Sequence, residues 1–269
     1  MSNDSASFVG SIPQYYDQGL GPLIFVDYAA DMAQRAAARD PARVLETAAG
    51  TGIVTRKLRD ALPVDVRLTA TDLNPPMLEV ATQRVQSPNV RFQPADAQAL
   101  PFDEGSFDLV VCQFGAMFFP DKVLGHSEAR RVLREGGSYL LAIWDRIDRN
   151  PMSEAAQQAL IDLFPEDPPL FMQEGPFGYH DRGAIERDLR AAGFTNMKIE
   201  TVELRSRAPS SEEAARALCY GTPMGMEVED RAPGTLDRAF ERVKAGLARF
   251  DGPDGANAPM SAHIVTATR

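Results

Sequence analysis

The chain has 269 residues, 38 acidic against 28 basic side chains, a formal charge of −10 and an apolar fraction of 44%. That is enough chain to bury a core as one large domain or a domain with a substantial insertion, and the acid excess disfavours nucleic acid, whose phosphates call for clustered Lys and Arg. Without an apolar run of about 18 residues, paired cysteines or clustered histidines, or a basic-then-apolar leader at Met1–Ser7, the expectation is a cytoplasmic protein with no membrane span and no metal.

In chain order, a turn is expected at Tyr15-Tyr16-Asp17 and a helix from Pro22 to Ala38. Strand and helix patterns then alternate. Val44–Thr47, Arg67–Thr71, Val90–Gln93, Phe107–Cys112 and Ser138–Trp144 are apolar and β-branched enough for a parallel sheet covered on both faces. Between them, Asn74 with Pro75-Pro76 opens a helix over Met77–Val85. Asp121 opens another to Arg134, with Gly136-Gly137 as its stop. Cys112, inside a strand pattern, reads as a buried thiol.

After Trp144 the pattern loosens. Ser153–Phe164 and Asp181–Ala192 read as helices, Met197–Leu204 as a strand, Ser210–Tyr220 and Asp230–Phe250 as helices. Asp251–Pro259 reads as a loop and Ser261–Thr268 as a final strand. Cys219–Met226 suits either a pocket lid or a helix–helix corner.

The most informative stretch is Val44-Leu45-Glu46-Thr47-Ala48-Ala49-Gly50-Thr51-Gly52, a strand entering a small-residue turn and then a helix. Such a turn brings backbone N–H groups close to a ligand. Asp72 and Asp96 add carboxylates at the ends of the next two strands. The dinucleotide fingerprint Gly-x-Gly-x-x-Gly is not met, because Thr55 stands where its third glycine belongs, and no Gly-x-Ser-x-Gly elbow occurs.

Glu46-x-Ala48-x-Gly50-x-Gly52, the segment Ala95–Phe102, and Phe107–Cys112 followed by Glu128-Ala129-x-Arg131-Val132-Leu133-x-x-Gly136-Gly137 resemble class I S-adenosylmethionine-dependent methyltransferases of the type 11, small-molecule branch. The matched stretches span roughly residues 42 to 145. Ala48 departs from the pattern by replacing the family's first glycine.

The resemblance implies a doubly wound, Rossmann-like α/β fold. Its seven strands would run in the order 3-2-1-4-5-7-6, the last antiparallel, with helical cap insertions. It implies a lid and helix over residues 1–40, a cofactor-binding half over 41–145, and the rest of the domain over 146–269 with caps near 146–180 and 206–259.

S-adenosyl-L-methionine would be held by Glu46, Thr47, Ala48, Gly50, Gly52, Asp72, Leu73, Met77, Asp96, Ala97, Gln113 and Tyr16, and released as S-adenosyl-L-homocysteine. Within that set Asp72 would take the ribose hydroxyls, Asp96 and Ala97 the adenine edge, Leu73 and Met77 its face, and Gln113 the methionine end. Phe118 and Phe119 suit a cavity wall or the core equally.

The implied reaction is in-line methyl transfer to a small organic acceptor by a monomer or homodimer, with His180, Tyr179 and Tyr15 as candidate bases. A protein or nucleic-acid methyltransferase, and a non-catalytic S-adenosylmethionine-binding regulator, are the alternatives.

Overall fold

The computed structural model describes residues 12–269; the expectation drawn from Met1–Ser7 and the first residues of the expected lid lie outside them. Helix α1 (Ile12–Tyr15) passes into a π-helical segment, Tyr16–Phe25, and then α2 (Val26–Ala37). The expected turn at Tyr15–Asp17 is therefore helical, and the helix starts well before Pro22. Pro22 lies inside the π segment, where the Val26 N–H bonds to the Gly21 carbonyl five residues back. That wider register relieves the clash a proline ring makes with an α-helical carbonyl.

Then β1 (Arg43–Glu46), α3 (Ile53–Ala61), β2 (Arg67–Asp72), α4 (Pro75–Arg84), β3 (Val90–Pro94), β4 (Phe107–Gln113), α5 (Lys122–Val132) and β5 (Leu133–Trp144) follow. Asp121 caps α5 as expected, its Oδ1 accepting from the Leu124 N–H at 2.9 Å. The glycines Gly136-Gly137 do not stop that helix. Backbone at Leu133 is already extended, and the pair lies within β5 beside a register irregularity between Phe107 and Leu109. A Cβ on Gly137 would stand 2.8 Å from the Arg134 carbonyl oxygen and 3.0 Å from that of Asp108, so backbone crowding within the sheet, not helix capping, requires glycine there.

The chain continues through α6 (Pro151–Leu163), α7 (Phe171–Glu174), α8 (Arg182–Ala191), β6 (Asn196–Ala208), α9 (Ser211–Tyr220), α10 (Met224–Arg231), α11 (Leu236–Leu247), β7 (Asp251–Gly252) and β8 (Gly255–Thr268). Cys219–Met226 is the corner between α9 and α10, tied by Thr222, whose hydroxyl donates to the Leu218 carbonyl at 2.7 Å. The loop expected over Asp251–Pro259 is instead a tight hairpin, β7 turning through Pro253-Asp254 into β8.

The sheet order is β3-β2-β1-β4-β5-β8-β6, with β8 antiparallel to β5 and β7 paired to β8. The pairs from β3 through β5 are parallel. With the two-residue β7 set aside, this is the expected seven-strand order. Val44, Leu45, Leu109, Val110 and Val111 are buried on both faces of the central strands, which explains their unbroken apolar runs. Strand order reverses between β1 and β4, the point where open α/β sheets form a ligand crevice at the carboxyl ends of their strands.

The chain divides into two compact units. One holds residues 28–144, 179–202 and 262–269 and contains the central sheet. The other holds the described residues up to 27 together with 145–178 and 203–261, and is mainly helical. β6 and β8 run from one unit into the other.

Candidate cofactor site

The turn between β1 and α3 is built from three left-handed residues, Ala48 (φ 53°), Gly50 (φ 56°) and Gly52 (φ 80°). Gly52 has a second constraint, since a Cβ there would come 3.0 Å from the Ala81 methyl on α4. The departure at Ala48 is accommodated across the crevice. A Cβ on Gly115, just past β4, would fall 2.3 Å from the Ala48 Cβ, so glycine at 115 makes room for the methyl at 48. The turn is pinned to β2 by the Ala49 N–H bonding to the Thr71 carbonyl at 2.9 Å.

Two carboxylates clasp this turn from beneath. Asp72 Oδ2 accepts from the Gly50 N–H at 2.9 Å, and its Oδ1 accepts from the Asn74 N–H at 2.8 Å. Glu46 Oε2 accepts from the Thr55 hydroxyl at 2.6 Å. Glu46 is 1% exposed and Asp72 7%. Burial pushes Glu46 up to about 8, against the Thr55 hydrogen bond and with help from the Asp72 charge. Asp72 is also raised by burial, opposed by the bonds from Asn74 and Gly50. No lysine or arginine forms an ion pair with either among the described residues. Buried carboxylates without a counter-cation are costly, which is why burial holds both toward their protonated forms.

Around the carboxylates the other expected positions differ in character. Leu73 is 56% exposed directly beyond Asp72, an apolar surface at the strand end, whereas Met77 is packed into the core. Asp96 is exposed and turns on itself, Oδ1 accepting from the Gln98 N–H at 2.8 Å, with Ala97 half-buried beside it. Thr47 is buried and its N–H bonds to the Val111 carbonyl at 2.9 Å, joining β1 to β4.

Gln113 ends β4, half-buried, and is followed by Phe114 at φ 55°. A bulky residue in that region is strained. Phe114 stacks in parallel on Trp144 with centroids 3.8 Å apart, and Tyr28 meets both rings edge-on. Phe119 is core: a Cβ on Gly125 of α5 would meet its ring at 2.4 Å.

The candidate bases fall elsewhere. Tyr179 is buried, and its hydroxyl donates to Asp188 Oδ2 at 2.8 Å, which binds it into the packing of α5 on α8. His180 is half-buried, and its carbonyl accepts from His263 Nε2 at 3.1 Å. Tyr15 and Tyr16 belong to the mainly helical unit, where Tyr15 lies against Tyr220 and Tyr16 stacks on Phe25.

Sequence reasoning did not assign Thr51, Thr55, Phe114 or Gly115 to the site. Thr55 carried a signal, a hydroxyl one helical turn into α3 where a dinucleotide fold has glycine. The strain at Phe114 had none.

Residues 44–137 match the model of the methyltransferase domain family. That stretch of the chain is a methyltransferase domain. A demethylmenaquinone methyltransferase of Deinococcus radiodurans is 39% identical over 111 residues, 40% of this chain and 46% of that one. The chain thus spans about half the length of that curated relative. Among solved structures, the YcgJ protein of Bacillus subtilis superimposes with a TM-score of 0.59 at 18% identity, over 90% of this chain and 98% of that one. A phosphoethanolamine N-methyltransferase of Haemonchus contortus, in complex with S-adenosylhomocysteine, gives 0.54 at 16% identity over 97% and 61%. These similarities show the methyltransferase fold. No helix among the described residues is long and apolar enough to cross a membrane, and none of their side chains cluster as metal ligands.

The residues of this domain fit S-adenosylmethionine. The Thr51 hydroxyl, 1% exposed in the turn, has no hydrogen-bond partner among the described residues, which leaves a donor at the place the cofactor would lie. Left-handed Gly50 and Gly52 bring backbone up without side chains. Asp72, and Glu46 once ionised, would suit a sulfonium and ammonium.

Proposed function

We propose that this protein transfers a methyl group from S-adenosylmethionine to a small organic acceptor. The observation that carries the reading is the buried pair Glu46 and Asp72, bonded to the Thr55 hydroxyl on α3 and to the Gly50 N–H of the turn, with no Lys or Arg in an ion pair with them among the described residues. A cationic ligand with hydroxyls answers both their charge and their remaining lone pairs. Asp72 Oδ1 already accepts from the Asn74 N–H and side-chain amide, while Oδ2 keeps acceptor capacity beside the Gly50 bond for a ribose hydroxyl. Thr51 and Gly50–Gly52 would face the methionine portion, Leu73 and Ala97 the adenine, and Gln113 the methyl end.

When bound, that cofactor supplies an electrophilic methyl on a sulfonium. The protein's own share is alignment and exclusion of water, which can account for several kcal/mol of barrier lowering. Tyr179 has its proton committed to Asp188, so this reading requires no general base from that residue. The acceptor is proposed to be apolar and planar. Its support is the stacked pair Phe114 and Trp144 at the carboxyl ends of β4 and β5, together with relatives named for a quinone-precursor substrate. Action in the cytoplasm, as a monomer or homodimer, belongs to the same proposal.

The test is incubation of the purified protein with methyl-labelled S-adenosylmethionine and a cell extract, partitioned into organic, protein and nucleic-acid fractions. Label in the organic fraction supports the reading. Label confined to protein or nucleic acid, or cofactor binding with no label anywhere, overturns it.

A further inference from the structure

Within the mainly helical unit, α6 and α11 form a groove of about 460 Å³ whose two walls carry opposite charge. Glu154 and Asp162 line the α6 side. Arg242 on α11 and Arg249 just past its end line the other. Each pair is spaced about two helical turns along its own wall. All four residues are exposed, and none forms an ion pair among the described residues. Asp162 accepts from the Gln158 amide on its own helix at 2.8 Å, and Arg249 lies over the Phe250 ring. Lys244, elsewhere on α11, is by contrast paired with Glu212 and Glu241.

The groove floor holds a glycine that the chain's own packing does not call for. Gly246 lies within α11, where glycine weakens a helix relative to alanine. A Cβ there would make only ordinary contacts, 3.5 Å from the Ala155 carbonyl oxygen and 3.8 Å from the Ala159 methyl. Packing of α11 on α6 would therefore accept a side chain at 246. Its absence keeps the floor low and open to another surface.

Opposed rows of charge on one face select the partner that fits. A partner of one sign is attracted by one wall and repelled by the other. A second copy, related by a two-fold axis running along the groove, lays its α6 over this α11 and its α11 over this α6. Each acidic row then meets a basic one, whereas an axis across the groove would set like over like. Self-complementarity of this kind is what an isologous interface requires. We propose that the α6–α11 face is a homodimer interface, in which Glu154 and Asp162 of one copy face Arg242 and Arg249 of the other. The face is independent of the reaction proposed above. Exposed charge pairs set orientation and salt dependence more than strength, so the dimer is a weak, salt-sensitive one.

The experiment is sedimentation equilibrium on the full chain and on two charge-reversed variants, R242E/R249E and E154K/D162K, with circular dichroism to show that each is folded. The unaltered protein should dimerise at about 10–100 µM in low salt, and about tenfold more weakly at roughly 0.5 M salt. Each variant alone should dimerise at least about tenfold more weakly, because every wall then bears one sign. An equimolar mixture of the two should regain the dimer, since acid again meets base. A merely disturbed fold would not recover on mixing.

An unaltered protein that stays monomeric to about 200 µM in low salt overturns the proposal. So does a dimer that both variants leave unchanged, which would lie on another face, and so does a mixture that stays monomeric. If either variant fails to fold, Ala245→Trp decides, because Ala245 is exposed on the groove and the indole would fill it. A dimer about tenfold weaker in A245W supports the interface, and an unchanged one overturns it.

Discussion

The contact between Ala48 and Gly115 makes a quantitative prediction about how this domain tolerates alanine in a glycine position. Gly115 has φ −107°, a conformation any residue adopts, so Gly115→Ala is opposed by contact alone. Its new methyl would sit 2.3 Å from the Ala48 Cβ and 3.1 Å from Cys112 Sγ. The first distance forces backbone to move and the second asks a thiol to yield by a few tenths of an ångström. Overpacking of that kind costs about 1–3 kcal/mol, and two backbone turns on opposite sides place G115A near the upper end.

Ala48→Gly removes one of the two clashing methyls. It also relieves a left-handed alanine worth about 1–2 kcal/mol, which the greater freedom of glycine in the unfolded chain offsets by roughly 0.5–1 kcal/mol. A48G alone should therefore be neutral to about 1 kcal/mol stabilising. In the A48G background, G115A should cost about 1 kcal/mol or less, giving a favourable coupling of at least about 1 kcal/mol. Urea unfolding followed by Trp144 emission measures all four corners of the cycle from Cm and m. Additivity within about 0.5 kcal/mol, the behaviour of independent sites, would refute the account of why glycine stands at 115.

The buried acids tie stability and binding to pH. Glu46 is raised from 4.5 to about 8 in the folded protein, so the native state binds more protons than the unfolded one, and cofactor-free stability should fall as pH rises across that window. Glu46→Gln should flatten the slope in pH-dependent urea melts. A bound cation would favour the ionised form, so calorimetry in buffers of different ionisation enthalpy should show proton release near pH 7 that E46Q loses. Asp72→Ala should weaken S-adenosylhomocysteine binding by about 1.5–3 kcal/mol and also lower Tm, since the Gly50 and Asn74 N–H groups lose their acceptor. Arg269→Ala should cost about 1–2 kcal/mol in urea melts, because its Nη1 caps the end of α5 at the carbonyls of Arg131 (2.8 Å) and Leu133 (2.6 Å). Cys112 and Cys219, buried and pushed up to about 11 and about 12, should react with an aromatic disulfide reagent only at the rate of unfolding.

The parallel sheet was legible because its central strands are apolar on both faces and its helices carry their own signals, as Asp121 and Asp181 do by capping α5 and α8. What misled were glycines and prolines whose partners lie far along the chain. Gly136-Gly137 resembles a helix stop, yet at Gly137 glycine is required by the carbonyls of Arg134 and, on the neighbouring strand, Asp108. Asp251–Pro259 has a loop's composition, yet Gly255 at φ 96° turns it into a hairpin against the Ala208 carbonyl. The placing of Asp72 and Leu73 at the end of β2 could be read from spacing, because a strand end and the residue after it are local features. The burial of Met77 and the engagement of Tyr179 by Asp188 depend on packing between elements, which one sequence does not display.

The same contrast bears on the cofactor. A glycine turn after a strand serves phosphates as readily as it serves a sulfonium, because backbone N–H groups attract any anion or polar group brought near. The discrimination comes from what lies under the turn. Glu46 and Asp72 are both buried, so water screens neither. Bonded to Thr55 and Gly50, both are raised by burial, Glu46 to about 8, so a cation brought into the crevice would favour their ionised forms. Thr55 is thus decisive twice over. It replaces the glycine that a dinucleotide fold needs for close helix packing, and its hydroxyl donates to the buried Glu46 carboxyl.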